Sequence, residues 1–343
     1  MKTADKVRIG VVGVGHLGRL HVQQLQHIEM AHLVGFYDVD ADRSEQIVRE
    51  FGIDGFPSFD MLLQQCDALC IVTPTSFHYE YARLALLANR HVFIEKPITS
   101  SLDEADTLIA LGKERNLKIQ VGHIERFNPA ILAIEPLNIN PLFIESHRLA
   151  NFNPRGTDVA VVLDLMIHDI DLILSFVHSP VKDVQASGVR VISSTEDIAN
   201  CRVMFENGCV ANVTASRISA RNMRKMRFFQ PHAYISVDFL EGFSEVYYLA
   251  SEHLALPGTE LAFSLGEIEK GLEKKEIRYA RLEKRDVNPL RYELEQFCRA
   301  ILRDTQPPVT AEDARRALKI AGIILEKIHQ HTEHVKQNWG ELP

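Results

Sequence analysis

Residues 7–28 read VRIGVVGVGHLGRLHVQQLQHI, and this stretch decides the fold. A short β-rich apolar run ends at Val12, the glycine turn Gly13-Val14-Gly15-His16-Leu17-Gly18 follows at once, and a helical pattern continues to Ile28. A bare G-x-G-x-x-G is weak evidence, but here it has the strand before it and the helix after it. Each glycine has a physical reason: Gly13 for a tight turn, Gly15 for the approach of a pyrophosphate to bare backbone, Gly18 for close packing of helix on strand. The pyrophosphate would rest on the free N–H groups at the helix start. A second strand over residues 32–38 ends in Asp38, 20 residues past Gly18. A carboxylate there accepts bonds from the ribose hydroxyls and repels a 2′-phosphate, which favours NAD over NADP. Gly13, Gly15, His16, Leu17, Gly18 and Asp38 are therefore the expected cofactor contacts. The bland alternative is a glycine turn followed by a solvated acid.

The alternation continues outward. Helical patterns over 42–51 and 59–65 lead to a strand at 68–73 and the segment Pro74-Thr75-Ser76-Phe77-His78. A helix over 77–88, a strand at 91–95, a helix over 102–115 with Ser101 as its cap, and a strand at 118–122 complete the series. Strands separated by helices in this way predict an α/β Rossmann domain, a doubly wound parallel sheet, over residues 1–122. Ligands bind such sheets at the carboxyl ends of the strands. Asp38, Thr73-Pro74, Glu95-Lys96-Pro97 and Gly122-His123 all fall there, so Thr73, Pro74, His78, Glu95 and Lys96 join the cofactor-binding set. Lys96 by itself also reads as a solvated cation. Pro97 makes the preceding bond a candidate for the cis form.

Beyond Gly122 the pattern changes. Residues 159–176, VAVVLDLMIHDIDLILSF, are apolar almost all round, which predicts a buried helix. Asp164, His168, Asp171 and Ser175 recur at helical spacing on one face, which must meet a polar surface or a ligand cavity. An aspartate one turn before a histidine is also a common helix-surface pair. A strand at 143–150 precedes this helix, and strands at 181–192, 198–205, 209–216, 224–229, 233–238 and 246–250 follow with no helices between them. The expectation is an α+β domain over 123–343, built on a large, mainly antiparallel, open-faced sheet. Its uncovered face predicts a homo-dimer or homo-tetramer. Residues 251–287 read as irregular, and two helices over 288–302 and 311–337 close this domain. If Asn207-Gly208 forms a two-residue turn, Cys201 faces Thr214 and Cys209 faces Glu206.

Composition narrows the function classes. A chain of 343 residues is long for one core. A net charge of −8 argues against nucleic acid and acidic membranes as partners. No apolar run approaches the roughly 20 residues of a membrane span, and the charged start MKTADK reads as no signal peptide. Five cysteines without a framework spacing point to a reducing, cytoplasmic setting and to no metal. His329, His331 and His334 read as solvated residues at a helix end. Arg217, Arg221, Arg224, Lys225 and Arg227 suit an anionic small molecule or plain solvation.

With Gly13-x-Gly15-x-x-Gly18, Glu95-Lys96-Pro97 and Asp164-x-x-x-His168 in this order, the chain resembles the Gfo/Idh/MocA family of NAD(P)-dependent oxidoreductases over essentially its whole length. The resemblance implies an active site shared by the two domains, with Lys96, Asp164 and His168 as its catalytic constellation. Thr75 stands where many members have asparagine, which puts its nicotinamide-side contacts in doubt. The stretches QVGHIERFNPA, PLFIESHRLANFNPRGTDV and RKMRFFQPHAYISVDF further resemble the branch acting on UDP-N-acetylglucosamine. That resemblance implies oxidation of the sugar 3-hydroxyl to a ketone, later aminated for lipid A. Arg126, Arg148 and Arg155 are then expected to contact diphosphate or sugar alongside Asp164 and His168, with ion pairing as the alternative. A free sugar or inositol as substrate, or a non-catalytic NAD-binding regulator, are the rival readings.

Overall fold

The computed structural model describes residues 6–153, 159–250, 262–270, 273–284 and 286–339. The chain forms two compact units, one extending to Ile124 and taking in Asn288–Leu318, the other comprising Glu125–Val287 and the residues from Lys319 onward.

The first unit alternates strand and helix: β1 Val7–Val12, α1 His16–Leu25, β2 Ala31–Tyr37, α2 Ala41–Phe51, α3 Phe59–Gln65, β3 Ala68–Ile71, α4 His78–Leu87, β4 His91–Glu95, α5 Leu102–Glu114 and β5 Ile119–Gly122. The five strands are parallel in the order β2-β1-β3-β4-β5. Helices on both faces explain why β3 and the middle of β4 are wholly buried. Ser101 caps α5 in a complete capping box with Glu104.

The second unit begins with a short helix α6, Pro129–Ile134, then β6 Phe143–Leu149 and α7 Ile167–Phe176. There follow β7 Val181–Val189, β8 Ile198–Phe205, β9 Val210–Ser216, β10 Met223–Gln230, β11 Ala233–Asp238, β12 Phe243–Leu249, β13 Phe263–Lys270 and β14 Glu273–Glu283. They make one sheet in the order β13-β14-β12-β11-β10-β6-β9-β8-β7, antiparallel throughout except for the parallel pair β6 and β9. Strict alternation sorts its faces. Ile144, Ser146 and Arg148 of β6 are buried, while Phe143, Glu145 and His147 point the other way. That other face carries an aromatic row across five strands, Phe143, Phe229, Tyr234, Tyr247 and Tyr279, with successive ring centroids 5.0–5.5 Å apart.

Two further helices are α8 Pro289–Leu302 and α9 Ala311–Trp339. The expected division gave both to the second domain. Instead α8 belongs with the first unit, because Leu294, Phe297 and Cys298 complete the core under β1 and β4, with the Phe297 ring 5.9 Å from Phe93. The division falls within α9, at Leu318.

Two more expectations need correction. Part of the region read as irregular is the hairpin of β13 and β14. Charged residues on an edge hairpin dilute the alternation, which survives in Ala280 and Leu282 on the buried side. The turn at Asn207-Gly208 holds three residues, because Phe205 N–H donates to Cys209 O and Gly208 adopts φ +88°. Cys201 therefore faces Val213, one register step from the expected Thr214. All five cysteines are buried free thiols, and burial pushes Cys66, Cys201 and Cys298 up to about 12, which leaves them chemically quiet. Among the described residues no helix is long and apolar enough to cross a membrane.

A pH effect arises at the foot of β4. His91 Nδ1 accepts the Lys118 N–H at 2.9 Å, so a proton there breaks that bond. Burial, then the Lys118 charge, hold His91 below its ordinary value. The folded state thus binds this proton less readily than the unfolded chain, and stability should fall as pH drops below about 6.5. Denaturant midpoints measured across that window should decline, and His91→Asn, which keeps an acceptor but cannot titrate, should flatten the slope. An unchanged slope would remove His91 as the cause.

Candidate active site

The first unit carries the dinucleotide features at the carboxyl ends of its strands. Gly13, at φ +86°, holds the turn in a backbone region closed to most side chains, and a Cβ on it would lie 2.8 Å from Val72 O. Nothing lies within 4 Å of where a Cβ on Gly15 would stand, and no side chain caps α1. The helix therefore opens onto clear space with its first N–H groups available to an anion, which fits a pyrophosphate. His16 and Leu17 are exposed at this opening. Asp38 follows β2. Its Oδ2 accepts the Val14 N–H at 2.7 Å and its Oδ1 the Asp40 N–H at 2.9 Å, which ties the end of β2 to the glycine turn. Each oxygen also accepts a long bond from Arg43 Nη1 at 3.5 Å, the weakest of its contacts and the one a ribose hydroxyl would displace. Arg43, 3.5 Å from Asp38, reduces the local negative charge.

At the ends of β3 and β4, Pro74 is exposed, whereas Thr73 and Lys96 are half-buried. The Lys96–Pro97 bond is cis. Two residues expected to touch cofactor are otherwise engaged. His78 is 1% exposed, with Nδ1 2.9 Å from Pro97 O and Nε2 2.8 Å from Thr73 O. Its ring is filled from both sides by backbone carbonyls and has no surface left for a ligand. Glu95 meets His21 Nε2 through Oε1 at 2.9 Å and accepts the Lys96 N–H on Oε2 at 3.2 Å. Burial alone would raise Glu95, but the His21 bond and the nearby charge of Lys96 outweigh it and hold the carboxylate ionised.

In the second unit the apolar segment before α7 is not a plain α-helix. Residues Val162–Met166 form a π turn that runs into α7. The expected four-residue polar stripe divides between His168 and Asp171, both within α7 and beyond the π turn. Asp164 and His168 stay half-buried, together with Leu163 and Leu165. Asp171 turns inward, 1% exposed, and Ser175 returns its hydroxyl to Leu172 O.

The arginines expected at substrate hold this helix instead. Arg126 makes two 2.7 Å bonds to Asp171. Arg148 is 3% exposed and lies between Asp169, at 2.8 and 3.1 Å, and Glu125, at 2.7 Å. Burial would lower Arg148, but the two carboxylates outweigh it and raise it above its ordinary value. A guanidinium so enclosed cannot also reach a sugar phosphate, so the substrate role read for Arg148 is replaced by buried ion pairing. Arg155 lies outside the described residues. The basic cluster is dispersed in the same way, with Lys225 on Asp238 at 3.0 Å and Arg227 on Glu145 at 2.8 Å.

Sequence reasoning overlooked His21, Glu125 and Asp169. The signal for Asp169 was legible: an acid inside an apolar helix needs a cation, and Arg126 and Arg148 were among the candidates upstream. His21 gave no such sign, since a lone histidine on a helix face usually reads as core.

Comparison with known proteins bears on this arrangement. Residues 7–123 match the model of the oxidoreductase family with an NAD-binding Rossmann fold, and residues 144–235 match the GFO/IDH/MocA C-terminal domain. A UDP-N-acetylglucosamine 3-dehydrogenase of Acidithiobacillus ferrooxidans is 42% identical over 243 residues, 71% of this chain and 77% of that protein. The solved structure of the enzyme of that name from the same organism superposes with a TM-score of 0.82 at 36% identity, covering 94% of this chain and 98% of that one. The scyllo-inositol 2-dehydrogenase (NAD(+)) of Bacillus subtilis is 30% identical over 62% of this chain and 68% of its own.

Proposed function

The chain is a member of the Gfo/Idh/MocA family of NAD-binding oxidoreductases, and from that premise we propose that it oxidises the 3-hydroxyl of UDP-N-acetylglucosamine to a ketone. The observation that carries the substrate is the 42% identity to a dehydrogenase of that name across 77% of its length. The NAD nicotinamide supplies the hydride acceptor. The remaining needs are a base for the hydroxyl proton and a cation for the developing alkoxide.

His168 supplies the base, an imidazole half-buried on its helix. Asp164, in the π turn just before it, orients the imidazole or holds a sugar hydroxyl. Lys96 provides the positive charge that favours the alkoxide. Two further readings belong to the same proposal. The polar and aromatic sheet face joins copies of the chain into a homo-dimer or homo-tetramer, and five unbonded buried cysteines suit the cytoplasm.

The test mixes protein and NAD with UDP-N-acetylglucosamine or with an inositol, and follows the near-ultraviolet absorbance of reduced nicotinamide. Reduction with the nucleotide sugar, inhibited by free UDP, is the expected result. Reduction with inositol alone, indifferent to UDP, would move the assignment to the polyol branch that the scyllo-inositol relative represents. No reduction with any sugar would leave a dinucleotide receptor.

A further inference from the structure

We propose that His21 and His78 are positioning residues for Lys96, two buried imidazoles that grip the backbone on either side of it. The inference rests on the catalytic reading of Lys96 given above. His21 projects from α1, the helix that opens at the glycine turn, and is 1% exposed, its ring edge-on to Phe93 at 5.4 Å. It holds Glu95 Oε1, while Glu95 Oε2 accepts the N–H of Lys96 itself. The carboxylate lies over Gly122, where a Cβ would come within 2.9 Å of Oε2, so no side chain fits beneath it. His78 projects from the start of α4 and is equally buried. Its Nδ1 lies 2.9 Å from the Pro97 carbonyl and its Nε2 2.8 Å from that of Thr73; as a neutral ring, the form burial favours, it donates to one of them, and the grip on Lys96 is the Nδ1–H donated to Pro97.

Glu95 and Pro97 are the two chain neighbours of Lys96, and each is thus held by an imidazole from a different helix. A lysine reaches its target through a flexible four-carbon stem, so the precision of its ammonium depends on how well the backbone beneath it is fixed. Displacing a reacting group by about 1 Å can cost roughly 10²-fold in rate. Neither imidazole has the exposure to touch cofactor or substrate, so both act through Lys96. The same grips join Lys96 to α1 on one side and to the start of α4 on the other, two segments at the cofactor end of the sheet.

The test uses the full chain. Glutamine places its amide near an imidazole Nε2 and asparagine near Nδ1, so the variants separate the contacts. His21→Leu and His78→Leu should lower kcat per titrated active site by ~10- to 100-fold, with KM for NAD and NADH affinity little changed. The isotope effect with sugar deuterated at C3 should rise as the hydride step becomes limiting. His78→Asn, which keeps the tie to Pro97, should recover most of the loss, while His78→Gln, whose amide reaches only Thr73, should not. Amide exchange at Lys96, whose N–H donates to Glu95, should accelerate in His21→Leu while the middle of β4 stays protected. Equal recovery by asparagine and glutamine, or unchanged exchange at Lys96, would overturn the grip. Full turnover by Lys96→Ala would instead dismiss the catalytic reading of Lys96, and the exchange measurement would still decide the grip.

Discussion

Replacing His168 by alanine is expected to lower turnover by ~10²- to 10⁴-fold, the range for loss of a positioned general base, while NADH binds nearly as before. The dinucleotide features all belong to the first unit, on Gly13, Gly15, Asp38 and the start of α1, whereas His168 stands on α7 of the second. Affinity for the reduced cofactor, titrated by nicotinamide fluorescence, should therefore separate from kcat. Without the imidazole the sugar hydroxyl must lose its proton to water, so activity should recover partly as pH rises. Turnover equal to that of the parent protein would remove His168 from the mechanism and leave Asp164 as the remaining base. A parallel loss of NADH binding would mean that the substitution had damaged the fold.

Replacing Arg148 by alanine should destabilise the protein by about 3–5 kcal/mol, the usual cost of removing one partner from a buried ion pair. Arg148 is 3% exposed, and its loss leaves the carboxylates of Asp169 and Glu125 facing each other in the interior. Arg148→Lys keeps the charge but loses the fork that serves both acids, and should fall between the two. Urea unfolding followed by circular dichroism measures the loss. Asp169 adjoins His168, so kcat should fall in Arg148→Ala even where the protein is still folded. If the unfolding midpoint stays put while KM for the nucleotide sugar rises, the network is not structural and the phosphate contact first expected of Arg148 returns.

The elements that were legible beforehand share one property. The parallel sheet, the glycine turn, the cap at Ser101 and the run of antiparallel strands all follow from patterns local in the chain. Hydrophobic period, turn chemistry and caps each involve residues a few positions apart. Reading failed where charge obscured the period, as in β14, and where one residue shifted a register, as at Gly208. It also failed at Val162–Met166, because a π turn has no distinct composition and is imposed by what the helix packs against.

The candidate site divides along the same line. The amino acids by themselves determined the family motifs, the carboxyl-end placement of Lys96 and the four-residue spacing of Asp164 and His168 in one helical segment. Only the tertiary structure decided that Arg148 and Arg126 serve Asp169 and Asp171, 21 and 45 residues away, and that His21 reaches Glu95 across 74. A buried charge takes whichever opposite charge the fold brings within about 3 Å, and that choice depends on packing between distant segments, which no local pattern in the chain records.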